Sequence, residues 1–221
     1  LRRALGALYY DEWADRRWLQ SPIGRRGANP LKVGHGEHVN YSLRGDQGPG
    51  GRTYRIRCVL AEHRPELVKQ ILDIDMMTFS VPTFSRYTAG LMLRHGRTYL
   101  LLADDQVIGT CEVIRSFDRP SEGVIVSKSV RPGWRGRGLG TRFLNEVIEL
   151  LEQAGLQSVL LYVSPTNHHG VRIYEDRFGF EKAGEAPGEF GAGEDWLVLR
   201  RVLQAPSTSQ AASSQAASSQ D

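Results

Sequence analysis

The stretch "RPGWRGRGLG", residues 131–140, places four glycines and three arginines in ten positions directly ahead of a helical pattern. Glycine removes side chains and permits positive φ, so successive backbone N–H groups are exposed; arginine adds fixed positive charge. At a helix N-terminus this combination suits a phosphate group. Two common phosphate loops are excluded by the residues themselves. Gly133 and Gly138 have the spacing of a G-x-x-x-x-G-K-[ST] loop, but Leu139 stands where its lysine is needed. Gly136 and Gly138 begin a G-x-G-x-x-G pattern, but Thr141 stands at the third glycine. Its acidic ribose ligand should end a following strand, whereas Glu149 and Glu152 fall within a helical pattern. What remains is Arg135 to Thr141 as a strand-to-helix junction suited to a compact pyrophosphate.

Working outward, residues 123–130 (GVIVSKSV) read as the strand that enters the loop. Leu139, Phe143, Val147 and Leu151 then line one face of a helix that Gly155 stops. Upstream, residues 53–60 alternate as a strand, and Leu67, Ile71 and Ile74 repeat at helical spacing. Residues 83–96 read as a short second helix, and 98–114 as a hairpin turning at Asp104-Asp105. Downstream come a buried strand over 158–163, a short helix over 168–178 ended by Gly179, and final strands at 180–185 and 195–203. The order β-α-α-β-β-β-α-β-α-β-β is that of a layered α/β domain.

The flanks differ. Residues 1–52 form an N-terminal extension that holds Tyr9, Tyr10, Trp13 and Trp18 and ends in the glycine-rich linker "RGDQGPGGR" (44–52). Residues 53–204 carry the regular pattern, and 205–221 are a Ser/Ala/Gln tail expected to be disordered. Of a net charge of +3, the whole excess sits in the first fifty residues, with 8 Lys or Arg against 5 Asp or Glu. That is too weak a basic balance to argue for nucleic acid. No apolar run approaches a membrane span, and the N-terminus lacks a secretory pattern. The two cysteines, Cys58 and Cys111, both fall in predicted strands. They read as buried reduced thiols, which points to the cytoplasm. The pair His35 and His38 lacks cysteine partners or a helical HExxH setting, so no metal site is expected.

With the loop and its context in place, the chain resembles the GCN5-related N-acetyltransferase (GNAT) family, whose acyl-CoA signature is [R/Q]-x-x-G-x-[G/A]. Arg135, Gly138 and Gly140 match it in register, and "NHHGVRIYEDRFGF" supplies Asn167, Tyr174 and Gly179-Phe180 at the family spacing. Gly170 stands where a small alanine is common. Ribosomal-protein alanine N-acetyltransferases are similar as well, but carry a glutamate where this chain has Tyr162. The resemblance covers residues 53–203 and implies the GNAT fold, a mixed, mostly antiparallel sheet of six to seven strands flanked by about four helices.

It also implies acetyl-CoA as donor, an amine acceptor and no metal; pairing through the C-terminal strands would make a homodimer. The backbone of Gly136, Arg137, Gly138, Leu139, Gly140 and Thr141 would cradle the pyrophosphate, with Arg135 completing the motif. Asn167 would hydrogen-bond the pantetheine, and it is also a natural helix N-cap. A backbone N–H near Val130 would meet the oxyanion, and Tyr174 would protonate the leaving thiolate. Glu122, Glu112 and a water chain remain open as the route for the amine proton. His168 and His169 read as exposed loop residues. The segment 73–88 would form one wall of the acceptor site, and "GAGEDW" resembles the ending of the protein N-terminal acetyltransferase branch. A peptide or protein amine is therefore favoured over a small amine; a non-catalytic acyl-CoA-binding module is the third reading.

Overall fold

The computed structural model describes residues 39–42, 53–59, 65–79, 82–191 and 195–204. By internal contacts the chain divides into two units, residues 1–33 and 34–221. The first unit, and with it the aromatics at 9–18, lies outside the described residues, as do His35, His38, the linker at 44–52 and the tail at 205–221.

The chain order is β1 (Val39–Ser42), β2 (Tyr54–Val59), α1 (Pro65–Thr78), α2 (Arg86–His95), β3 (Arg97–Ala103), β4 (Gln106–Arg115) and β5 (Glu122–Val130). A 3₁₀ turn (Pro132–Trp134) follows, then α3 (Leu139–Gln153), β6 (Ser158–Val163), α4 (His168–Arg172), a π-helical turn (Ile173–Arg177), β7 (Glu181–Pro187) and β8 (Asp195–Val202). The eight strands form one sheet in the order β1-β2-β3-β4-β5-β6-β8-β7, with β5 and β6 as its parallel pair. The sequence pattern predicts every strand and α-helix from β2 onward, but the single helix expected over 168–178 divides into α4 and the π-helical turn. It places no strand within 1–52, whereas Val39–Ser42 pairs antiparallel with β2, Val39 opposite Cys58 and Ser42 opposite Arg55.

Local chemistry explains the punctuation. Ser85 caps α2 by accepting from the Thr88 amide, while the Thr88 hydroxyl accepts from the Ser85 amide. The β3–β4 turn puts Asp104 and Asp105 at φ 52° and 125°, a region usually left to glycine. β2 holds that turn: the Thr53 amide donates to Asp104 Oδ1, and Arg55 pairs with Asp105.

Each face of the sheet has its own core. On one, Phe143, Leu144, Val147 and Leu151 of α3 pack on Tyr54, Tyr99, Cys111, Val113 and Ile125. On the other, Leu67, Ile71 and Ile74 of α1 and Ala89 and Leu93 of α2 pack on Val59, Leu100, Leu102 and Val107.

A β-bulge sets the geometry at the middle of the sheet. Glu112 lies opposite Ser127 and Val113 opposite Ile125, so Val126 is the extra residue on β5. An extra residue bends its strand and raises the local twist. Pairing of β5 with β6 stops at Ile125 opposite Leu161, although β5 runs to Val130 and β6 to Val163. On its other side β5 stays paired with β4 to the end, Gly109 opposite Val130. The last five residues of β5 thus present one open edge, directly before the glycine loop. Among the described residues no helix is long and apolar enough to cross a membrane.

Candidate active site

The chain leaves β5 held by two arginines. Arg131 donates from its amide to the Ile108 carbonyl (2.8 Å) and from Nε to the Val107 carbonyl (3.0 Å). Arg135 donates from Nε to the Val130 carbonyl (2.8 Å) and from its guanidinium NH2 to Thr78 Oγ1 (3.0 Å). The Arg135 side chain therefore ties the end of β5 to the last residue of α1. Arg137 lies over the Trp134 ring, 5.4 Å from its centroid, and donates to the Gly133 carbonyl.

Between them the backbone turns through Gly136 and Gly138, both at φ 73°. Gly138 is the N-cap of α3 and supplies no side chain to its first amides. Those N–H groups, at the positive end of a fifteen-residue helix, are free to meet a compact anion. A Cβ at Gly136 or Gly138 would meet nothing within 4 Å, so conformation and not space requires glycine at both. The Leu139 side chain is buried in the core, which leaves only its backbone for a ligand. Gly140 lies over β5, where its Cβ would stand 3.6 Å from Lys128 Nζ and from Val130 Cγ2. Beside the loop, Thr141, Arg142, Asn145, Glu146, Arg177 and Phe178 line an open pocket of about 250 Å³.

Asn167 begins α4, and its Oδ1 accepts from the Gly170 amide at 3.0 Å. A Cβ at Gly170 would come within 2.5 Å of Asn167 Nδ2, so glycine here leaves that side chain its place. His168 and His169 are exposed on the first turn. Tyr174 lies in the π-helical turn, a geometry often found at functional sites. Its ring packs edge-on to Phe180 (5.9 Å) and against the α3-side core. Burial, then the nearby Cys111, pushes the phenol up to about 12, so it carries its proton at neutral pH. Cys111 stands opposite Lys128 across β4 and β5, and burial lowers the Lys128 ammonium from its ordinary value.

The two glutamates have opposite surroundings. Glu122 opens β5, roughly 26 Å along the strand from Val130 at a β-strand rise. Its Oε2 accepts from Ser158 Oγ (3.1 Å) and pairs with Arg200 (3.3 Å), while Oε1 faces Arg119 (3.5 Å). This ion-paired carboxylate braces the far end of β5. Glu112 is wholly buried and makes no ion pair among the described residues. Burial pushes its carboxyl up to about 8, a hydrogen bond from the Thr110 hydroxyl offsetting part of the shift and Asp75 adding to it. Sequence reasoning missed Asp75. It is buried on α1, and its Oδ2 accepts from the amides of Thr83 (2.6 Å) and Phe84 (3.3 Å), fixing the connection into α2. Tyr162 joins an aromatic cluster with Phe190 (5.1 Å), which in turn meets Trp196 (5.2 Å). Among the described residues no group of three or more His, Cys, Asp or Glu is placed to hold a metal.

Known proteins share this fold. The model of the Acetyltransferase (GNAT) family matches residues 66–180. The mycothiol acetyltransferase of Mycobacteroides abscessus is 36% identical over 88 residues, 38% of this chain and 29% of that protein. The chain spans 27–38% of the length of the first curated relatives it matches. Among solved structures, the Escherichia coli ribosomal-protein-S18-alanine N-acetyltransferase superposes with a TM-score of 0.56 at 17% identity, over 78% of this chain and 98% of that one. A Bacillus subtilis acetyltransferase in complex with CoA gives 0.55 at 19% identity, over 67% and 99%. These structural likenesses are of fold. The family match spans the loop, the open edge of β5 and the tyrosine turn, and with it the chain belongs to the GNAT acetyltransferase family.

Proposed function

We propose that residues 53–204 form an acetyl-CoA-dependent N-acetyltransferase domain acting on a primary amine, with a peptide or protein amine as the favoured acceptor. The observation that carries this reading is the parting of β5 from β6 after Ile125, next to an uncapped glycine loop and a protonated tyrosine. The backbone amides of residues 136–141 receive the pyrophosphate, and Arg142 and Arg177 stand beside the neighbouring pocket for the remaining phosphate. The pantetheine lies along the open edge of β5, completing the ladder that β6 abandons, and Asn167 Nδ2 is left to bond it. The Val130 region supplies the N–H that meets the oxyanion. Tyr174 gives its proton to the thiolate as the carbon–sulfur bond breaks.

A small-molecule amine is the second reading, supported by the identity with mycothiol acetyltransferase. Free, buried Cys58 and Cys111 support a cytoplasmic location. The test is turnover of acetyl-CoA with a panel of peptides, amino acids and polyamines, read as thiol release and product mass. Acetylated peptide is expected to form fastest. Binding of acetyl-CoA without any acetylated product would make the chain a binding module. Sedimentation of the same sample reads whether two copies pair along the β7 edge.

A further inference from the structure

Three arginines stand in and beside the glycine loop, and all three guanidiniums have protein partners. Arg137 lies over Trp134 and bonds the Gly133 carbonyl, within the loop itself. The other two reach out of it, to consecutive residues of one helical turn. Arg135 NH2 donates to Thr78 Oγ1 (3.0 Å), and Arg131 NH1 meets Met77 Sδ (3.8 Å). Each also holds the sheet by its Nε, Arg135 at the Val130 carbonyl of β5 and Arg131 at the Val107 carbonyl of β4. A guanidinium presents its donors in a rigid planar fork, so one that bonds two partners sets the distance between them. Thr78 is held from its own side too, because its hydroxyl donates to the Ile74 carbonyl one turn back (2.8 Å).

The core does not hold this turn. The last buried apolar side chain of α1 is Ile74, while Met76 and Met77 are 56% and 52% exposed and Phe79 beyond them is 37% exposed. A helix end with few buried apolar contacts opens at low cost, so polar bonds decide where it lies. This end lies by the last residues of β5, on the face where α1 and α2 pack. The loop's free amides and Tyr174 belong to the α3 face. With the donor on that face and along the open edge, an acceptor reaches Val130 from the face on which α1 ends. What α1 offers it there is apolar surface. Such contact is sensitive to position, since a gap of about 0.5–1 Å forfeits a quarter to a half of the attraction.

We propose that Arg135 is a positioning residue of the acceptor side: it fixes the last turn of α1 against the end of β5 and so sets the affinity for the amine, while making no bond to the donor's phosphates. The inference rests on the acetyltransferase reading and gives the signature arginine a different place in that same site. Phosphate binding then falls to the backbone amides of residues 136–141, where Gly138 leaves the first turn of α3 uncapped. Arg135 acts through Thr78 and does not touch the reacting atoms, and Arg131 reinforces the hold one residue earlier.

The test compares wild type, Thr78→Val, Thr78→Ser and Arg135→Lys in the full chain, with acceptor KM, kcat and the acetyl-CoA dissociation constant on the fastest amine. Thr78→Val removes the hydroxyl at nearly constant shape and alters no loop residue. It is expected to raise KM about fivefold, with kcat at saturation and acetyl-CoA affinity within about twofold of wild type. Thr78→Ser keeps the hydroxyl and should return KM to the wild-type value. Arg135→Lys keeps the charge but loses the fork, and should raise KM at least as much as Thr78→Val. Adding Thr78→Val to Arg135→Lys should raise KM no further, because both remove the same contact. Hydrogen exchange should quicken in residues 75–79 alone. Acetyl-CoA binding weakened about tenfold in Arg135→Lys with KM unchanged would make Arg135 a phosphate ligand and overturn the proposal. A wild-type KM in Thr78→Val, or exchange that quickens throughout the domain, would overturn it as well while leaving acetyl transfer intact. A wild type that turns over no amine would overturn the acetyltransferase reading itself, and this role with it.

Discussion

The two faces of the sheet treat buried polar groups in opposite ways. On the α3 face, Tyr174 lies among large apolar side chains and is kept in its protonated form by burial. On the α1–α2 face, Thr98, Glu112, Ser127 and Ser129 bury polar side chains in a row, and burial raises the Glu112 carboxyl to about 8. The first face carries Tyr174, the proposed proton donor, and the second a carboxyl held in its neutral form over a wider pH range than usual. Strand β5 separates them and is open along one edge where the two meet. A single sheet can therefore keep two kinds of interior apart without a wall between them, because alternate residues of one strand face opposite ways.

The bulge is the part of this contrast most exposed to attack. Deleting Val126 should straighten β5 and let it stay paired with β6 beyond Ile125. The expected outcome is a folded protein by circular dichroism that no longer binds acetyl-CoA in calorimetry. Tyr174→Phe removes the donor from the α3 face alone. It should lower kcat about 100-fold while the dissociation constant for acetyl-CoA stays within about twofold, as stopped-flow and equilibrium binding would read. Gly138→Ala touches neither proton group but forces a Cβ into positive φ, at roughly 1–2 kcal/mol. Weaker acetyl-CoA binding by about tenfold, with little change in kcat at saturation, is the result expected from titration.

The smallest effect is on stability. Because the folded-state pKa of Glu112 is raised, its protonated form favours folding. The associated stability is present at low pH and is lost as pH rises from about 4.5 through about 8. Glu112→Gln should flatten this slope and raise the melting temperature at about pH 9 by a few degrees, roughly 5 °C, with little change at about pH 4. A melting curve that depends on pH identically in both proteins would show that burial does not perturb this carboxyl.

Most of the element order was legible because helix and strand periods are local. Leu139, Phe143, Val147 and Leu151 announce α3 without reference to any other segment, and Asp104-Asp105 announces its turn. The glycine loop was legible for the same reason, since positive φ at Gly136 and Gly138 is a property of the chain itself. Strand β1 was not, because four residues beside a glycine-rich linker gain their meaning only from pairing with β2. Nor was the bulge, which is a mismatch of register between two strands and leaves no mark on either alone. The ion-paired surroundings of Glu122 were hidden as well, because Ser158 and Arg200, which join the neighbouring Arg119 around it, come from distant parts of the chain. Arg135 was read as part of the loop signature; its side chain's reach to Thr78 depends on how α1 lies against β5.

That last contact has a consequence of its own. One guanidinium bonds both the strand end that precedes the glycine loop and the final residue of the helix opening the 73–88 wall. The loop and the end of α1 therefore share a single pin. In the proposed reading, a ligand that moves Arg135 acts on Thr78 as well, and any coupling between the two places would act equally in both directions.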